Sequence, residues 1–138
     1  MTNDMPIALS DQDKNTLRTA AYGAVTLLAA AGAVGGRPHK IATNGSIALG
    51  SATGLVGHVL ADYPKGKDLA GKSVAEIADR VLPALTAAMS LLKQQAPAEA
   101  DNFRSTVTVA IESATRHSQP SPVMADMIRK ITNALDAA

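Results

Sequence analysis

One stretch of the sequence has the residue types of a phosphate-binding loop. Residues 66–73 read GKDLAGKS and match the pattern G-x-x-x-x-G-K-[ST] letter for letter. In a loop of this kind, backbone amides and the lysine cradle phosphate groups while the hydroxyl reaches magnesium. The side chains and amides of Gly66, Gly71, Lys72 and Ser73 are therefore candidates for binding an anion or a nucleotide.

The residues around this loop argue against nucleotide hydrolysis. A phosphate loop normally leaves a buried strand, and here Pro64, which cannot donate a hydrogen bond to a central sheet, precedes the motif. Ser73 and Glu76 have the spacing of a capping box at a helix start. We therefore expect a loop followed by a capped helix, and keep weak anion binding at that helix start as an alternative.

A second basic cluster lies earlier in the chain. Arg37, His39 and Lys40 follow a glycine-rich turn and precede a predicted helix. They could hold an anionic group, although three basic side chains at a loop are more often simply solvated.

A metal site has one weak candidate. His58 and Asp62 stand four residues apart, the spacing of two ligands on one helical face. A third ligand is missing locally and would have to come from His39 or His117 through folding. We therefore expect no cofactor, with these two residues as the metal candidates.

Hydroxyl nucleophiles are present in principle only. Ser51, Thr53, Ser105 and Ser113 do not lie in a nucleophile elbow or beside an obvious histidine base. With no acid–base pair at convincing spacing, the sequence favours a protein that is not an enzyme.

Composition narrows the remaining classes. The 138 residues include no cysteine, which excludes disulfide frameworks, thiolate metal sites and cysteine nucleophiles. Thirteen basic against twelve acidic side chains give a net charge of +1, so no broad field would attract nucleic acid or an anionic membrane. Residues 1–9 contain Asp4 and Pro6 and lack the pattern of a secretory signal, so we expect a flexible N-terminal segment and a cytoplasmic protein.

The elements that must position these residues are helices. Three aromatic residues and abundant alanine favour helices over sheets. Helical periodicity and capping residues predict helices at about 10–32, 73–92, 97–117 and 122–135, with a bend at Pro83. Residues 41–61 fit a further helix, in which Ile47 and Leu49 belong to the apolar face. The prediction is all-α: a compact bundle of about five helices in one domain, residues 10–138.

Small residues and apolar faces suggest how the helices associate. Gly50 and Gly54 have the spacing of a close helix–helix approach, within the monomer or across a dimer. Two apolar faces over residues 82–92 make a homo-oligomer or an unknown protein partner reasonable. The uncharged stretches 19–36 and 41–61 also suggest a membrane hairpin, but their Gly, Ala, Ser and Thr content favours burial in a bundle, so no membrane is expected.

The last two predicted helices show a resemblance to a known family. Residues 103–135, FRSTVTVAIESATRHSQPSPVMADMIRKITNAL, resemble the closing helix-turn-helix of TerB-like tellurite-resistance domains, which are bacterial all-helical bundles. The resemblance implies a bacterial origin and a metal-responsive stress role. Where family members carry acids, this chain reads AAAGAVGGRPHK and ATRHSQPSP, so no metal ligands carry over.

Together these features favour a non-catalytic binding or protein-interaction module. An anion or nucleotide binder using residues 66–73 and a metal-responsive TerB-like protein are the alternatives.

Overall fold

A computed structural model describes residues 9–32, 38–62, 73–115 and 121–138. Within these ranges the chain forms six helices and no strand, so the all-α prediction is confirmed while the predicted count of about five helices is corrected to six. The helices are α1 (Asp11–Gly32), α2 (Pro38–Gly50), α3 (Gly54–Leu60), α4 (Val74–Gln95), α5 (Pro97–Thr115) and α6 (Pro122–Asp136).

Three serines begin helices as the sequence predicts. Ser10 Oγ accepts a hydrogen bond from the Asp13 amide at 3.0 Å, and Ser121 Oγ accepts one from the Met124 amide at 3.2 Å. Ser73 forms a reciprocal capping box at the start of α4. Each hydroxyl satisfies an amide that has no partner within its own helix.

Helix α1 lies at the centre of the bundle and packs against each of the other five described helices. Its middle section is buried on all sides, from Thr19 to Val25. Small side chains there, chiefly alanine, allow neighbouring helices to approach closely. The core is completed by the predicted faces of α4, α5 and α6, which include Leu85, Phe103 and Ile131.

Close helix approaches also occur at glycines other than the predicted Gly50 and Gly54. A Cβ atom at Gly45 of α2 would lie 2.8 Å from both γ carbons of Val25 in α1. A Cβ at Gly23 of α1 would lie 2.5 Å from Val81 of α4. By contrast, a Cβ at Gly50 would meet nothing within 4 Å among the described residues, so the predicted close approach does not occur at Gly50 within the monomer. A Cβ at Gly54 would lie 3.1 Å from Glu99 Oε2 of α5. An approach across a dimer stays a prediction.

The sixth helix arises because the segment predicted as one helix at 41–61 divides into α2 and α3. Gly54 begins α3 with a φ of 71°, a left-handed conformation that favours glycine. The carbonyl of Ala52 also lies against the Cα of Gly57, where any Cβ would overlap it. The turn at 51–53 therefore depends on two glycines that follow it, Gly54 and Gly57.

Three leucines near the surface are covered in the structure. Leu82 and Leu91 of α4 are partly buried and pack against the core, so they do not form an exposed face. Leu9, at the edge of the predicted flexible segment, is also buried. No helix in the described ranges combines the length and the apolar character needed to cross a membrane.

Candidate functional site

A groove of about 580 Å³ lies between α2 and α5. The turn between α2 and α3 closes one end of it. The described residues that line the groove carry no ionisable side chain; they are Asn44, Ile47, Ala48, Ser51, Ala52, Thr53, Asn102, Ser105, Thr106, Val109 and Ser113.

Two large apolar side chains of the groove are exposed to solvent. Ile47 is 63% exposed and Val109 is 50% exposed, whereas Val123 on α6 is 48% exposed and does not line the groove. The sequence places Ile47 and Leu49 on one apolar helix face, but in the structure Ile47 is exposed while Leu49 is buried. Exposed branched side chains within a concave surface are a common feature of ligand sites.

The polar groups of the groove include all four hydroxyls named as possible nucleophiles, Ser51, Thr53, Ser105 and Ser113. Ser51 and Thr53 lie in the turn after α2, and Ser105 and Ser113 lie on α5. No histidine, lysine or carboxylate stands among the described lining residues to activate them. Their arrangement is suited to hydrogen bonding with a bound molecule.

Several polar groups of the groove have fixed hydrogen bonds. Ser51 Oγ donates to the Ile47 carbonyl at 2.9 Å, and Thr106 Oγ1 donates to the Asn102 carbonyl at 2.8 Å. The Asn102 amide nitrogen donates to the Thr53 carbonyl at 2.8 Å, which ties α5 to the turn after α2.

A carboxylate next to the groove holds the start of α3. Glu99 Oε1 accepts hydrogen bonds from the Val56 amide at 3.1 Å and from the Asn102 amide nitrogen at 3.2 Å. Thr53, at the N-cap position of α3, makes no capping bond with its own side chain. Glu99 therefore supplies from α5 the negative group that a helix start favours.

Side chains from α1 hold the other end of α3. Arg18 Nε donates to the Val59 carbonyl at 2.8 Å, and the Tyr22 hydroxyl donates to the Leu60 carbonyl at 2.5 Å. A cation is favourable at a helix C-terminus, where carbonyls lack partners. A seven-residue helix is unstable alone, so these bonds and the core contacts of α3 maintain it.

The two metal candidates, His58 and Asp62, differ in their surroundings. Asp62 follows α3 and forms an ion pair with Arg18 at 3.4 Å, while His58 lies exposed on α3. In the described ranges, no group of three or more histidine, aspartate or glutamate side chains is placed to hold a metal ion. The His117 suggestion falls outside those ranges.

The phosphate-loop motif is described only at its last residue. Ser73 Oγ donates to Glu76 Oε1 at 3.1 Å and accepts from the Glu76 amide at 3.2 Å, so its hydroxyl is part of the capping box. Gly66, Gly71 and Lys72 lie outside the described residues, as does Arg37 of the second cluster.

The remaining members of that second cluster are partly described. The backbone of His39 and Lys40 forms the first turn of α2, and their side chains lie outside the described part.

One charged network lies on α6, which packs on α1 and α4. Arg129 donates to Asp126 at 2.6 Å and Lys130 lies 3.1 Å from the same carboxylate. The hydrogen bond from Arg129, followed by that from Lys130, holds the pKa of Asp126 below its ordinary value. The network lies on the solvent-exposed side of α6.

The sequence contained a signal for the groove in the position of Val109. The apolar face of α5 runs through Phe103, Val107 and Ile111, and Val109 does not belong to it. Ser105 and Ser113 stand four residues before and after Val109 and so share its helical face. Val109, an apolar residue outside the buried face and between two hydroxyls, therefore indicates a second functional face of α5.

Comparisons of the chain with protein-family models, with curated proteins and with solved structures find no match to it.

Proposed function

We propose that the protein is a non-catalytic binding protein and that the groove between α2 and α5 takes a small organic molecule. The observation that carries this proposal is the coincidence of two exposed branched side chains, Ile47 and Val109, with hydrogen-bonding side chains around one concavity. Its volume of about 580 Å³ is in the usual range for small-molecule sites, roughly 300–1,000 Å³.

The chemistry of the lining residues supports binding over catalysis. A hydroxyl needs a neighbouring base to become a nucleophile, and the described lining residues include no histidine, lysine or carboxylate. The groove is also held in place at one end, because Asn102 of α5 bonds to the Thr53 carbonyl in the turn after α2. A site fixed before the ligand arrives binds with a smaller entropic cost.

The proposal can be tested with hexan-1-ol as the probe and methyl NMR as the readout. We expect saturable shifts of the Ile47 and Val109 methyl signals at a dissociation constant on the order of 1 mM, because a ligand of this size has little surface to bury. The Val123 methyl signals, from an equally exposed valine outside the groove, should not move.

Matched variants complete the test. Ile47→Ser and Val109→Ser should each weaken binding, while Val123→Ser should leave it unchanged. Shifts that are unsaturable, or equal at all three residues, would contradict the proposal. A dimer in light scattering that becomes monomeric in Ile47→Ser would also overturn it, because the groove would then be a contact between copies of this chain.

The hexan-1-ol experiment does not address the other predicted roles. A protein partner, anion binding at residues 66–73 and a metal-responsive role remain predictions, and the Ser73 capping bonds offer no support for magnesium binding by that hydroxyl.

A further inference from the structure

The hydrogen bonds around the groove indicate which kind of molecule it accepts. The inference rests on the proposed function and concerns the ligand's chemistry. It follows from three lining side chains whose hydrogen atoms are already used inside the protein: Ser51, Asn102 and Thr106.

The orientation of the Asn102 carboxamide is determined by its partners. Its nitrogen contacts the Thr53 carbonyl at 2.8 Å and Glu99 Oε1 at 3.2 Å. A carbonyl and a carboxylate can only accept, so the group facing them must be the amide nitrogen. Both of its hydrogens are used there, and the Asn102 Oδ1 atom is left as an acceptor with no donor from the described residues.

The two hydroxyls are in the same situation. Ser51 donates to the Ile47 carbonyl, and Thr106 donates to the Asn102 carbonyl. A hydroxyl has one hydrogen and two lone pairs, so each oxygen retains capacity to accept but not to donate. The three side chains with fixed hydrogen bonds therefore offer only acceptors to the ligand. The other polar side chains of the groove, Asn44, Thr53, Ser105 and Ser113, can adapt to either role.

The apolar and uncharged lining residues indicate the chemistry of the remainder of the ligand. Along α2, Ile47 and Ala48 stand between Asn44 and Ser51, so the lining face of that helix is apolar in its middle. No described lining residue is charged, although 18% of the chain is. An ion would lose hydration there without gaining an opposite charge, which is unfavourable.

We propose that the α2–α5 groove binds an uncharged aliphatic molecule that donates hydrogen bonds, such as an alcohol or a primary amide. Its donor group meets the acceptors of Ser51, Asn102 and Thr106, and its alkyl part covers Ile47 and Val109.

Two isomers provide the test, hexan-1-ol and 1-methoxypentane, which have the same atoms but differ in whether they can donate a hydrogen bond. We expect the alcohol to bind roughly 3- to 10-fold more tightly, the value of about one net hydrogen bond. Thr106→Val and Ser51→Ala should each reduce this preference while leaving the affinity for the ether unchanged. Asn102 is left intact because its amide also supports α3.

Thr108→Val is the matched control. Thr108 lies on the same helix and donates to the Arg104 carbonyl at 2.9 Å in the same way, but it does not line the groove. Its replacement should leave the alcohol preference as it is in the unmodified protein. All affinities would be measured by the methyl shifts of Ile47 and Val109, with folding checked by circular dichroism.

The outcomes separate the two proposals. Equal or tighter binding of the ether, or a preference that survives both groove variants, would overturn the ligand class and leave the groove as a binding site. Tighter binding of protonated hexan-1-amine or of hexanoate than of the alcohol would overturn the uncharged class. Failure of all these probes to give saturable shifts would overturn the proposed function, and the ligand class with it.

Discussion

Replacing Gly45 by alanine tests whether the spacing of α1 and α2 depends on a missing side chain. The new Cβ would lie 2.8 Å from both γ carbons of Val25 and 3.4 Å from its Cβ. Carbon atoms in favourable contact are separated by roughly 3.5–4.0 Å, so the helices must separate or Val25 must rotate. Val25 is buried, and a valine in a helix strongly prefers one rotamer.

The magnitude follows from two opposing effects. Overpacking of a core contact costs about 1–3 kcal/mol. Replacing glycine by alanine inside a helix contributes up to about 1 kcal/mol in the opposite direction. We therefore expect Gly45→Ala to lower the free energy of unfolding by about 1–2 kcal/mol, measured by urea denaturation followed by circular dichroism.

Gly50→Ala is the control, since Gly50 lies on the same helix and a Cβ there meets nothing within 4 Å among the described residues. It should be neutral or stabilising by up to about 1 kcal/mol. In a Val25→Ala background the contact is gone, so Gly45→Ala should lose most of its cost. Equal stability of Gly45→Ala and Gly50→Ala would refute the reasoning.

Three further predictions concern single polar groups. Tyr22→Phe should lower the free energy of unfolding by about 1–2 kcal/mol, because the Leu60 carbonyl loses its buried donor; denaturant unfolding checks this, and an unchanged midpoint would contradict it. Thr19→Val should raise the melting temperature, because the buried Thr19 hydroxyl has no hydrogen-bond partner among the described residues. Removing that hydroxyl should increase the free energy of unfolding by about 1 kcal/mol. A lower melting temperature would count against this explanation. The lowered pKa of Asp126 implies a contribution to stability that is present at pH values above the ordinary carboxyl range and is lost as the pH falls through the lowered pKa. Carbon NMR should show the pKa of Asp126 rising in Arg129→Gln. An unchanged pKa would exclude the hydrogen bond from Arg129 as the cause of the shift.

The fold was largely predictable because local signals agree with helical burial. The caps at Ser10, Ser73 and Ser121 and the helical spacing of apolar residues each depend on neighbours within one or two turns. The division at 51–53 was not predictable in the same way. It requires Glu99 to hold the start of α3, a contact 43 residues away along the chain.

The candidate site could be predicted only in part. Hydroxyls at Ser51, Thr53, Ser105 and Ser113 were identifiable as residue types with chemical potential, but nothing local places α2 beside α5. That placement comes from long-range packing, including the 49-residue separation between Asn102 and the Thr53 carbonyl to which it bonds. The sequence places Ile47 and Leu49 on the same apolar face, yet only Leu49 is buried, because helical spacing alone cannot distinguish a core position from one in an exposed groove.

The short helix α3 connects the fold of the molecule with its candidate site. Glu99 holds its first turn, and Arg18 holds its last turn. With both ends held, the preceding turn at Thr53 has a fixed position, to which Asn102 bonds at one end of the groove. The interactions that stabilise an otherwise unstable helix therefore also orient the Asn102 acceptor before any ligand arrives. An acceptor oriented in advance favours hexan-1-ol, which donates a hydrogen bond, over its isomer 1-methoxypentane, which cannot.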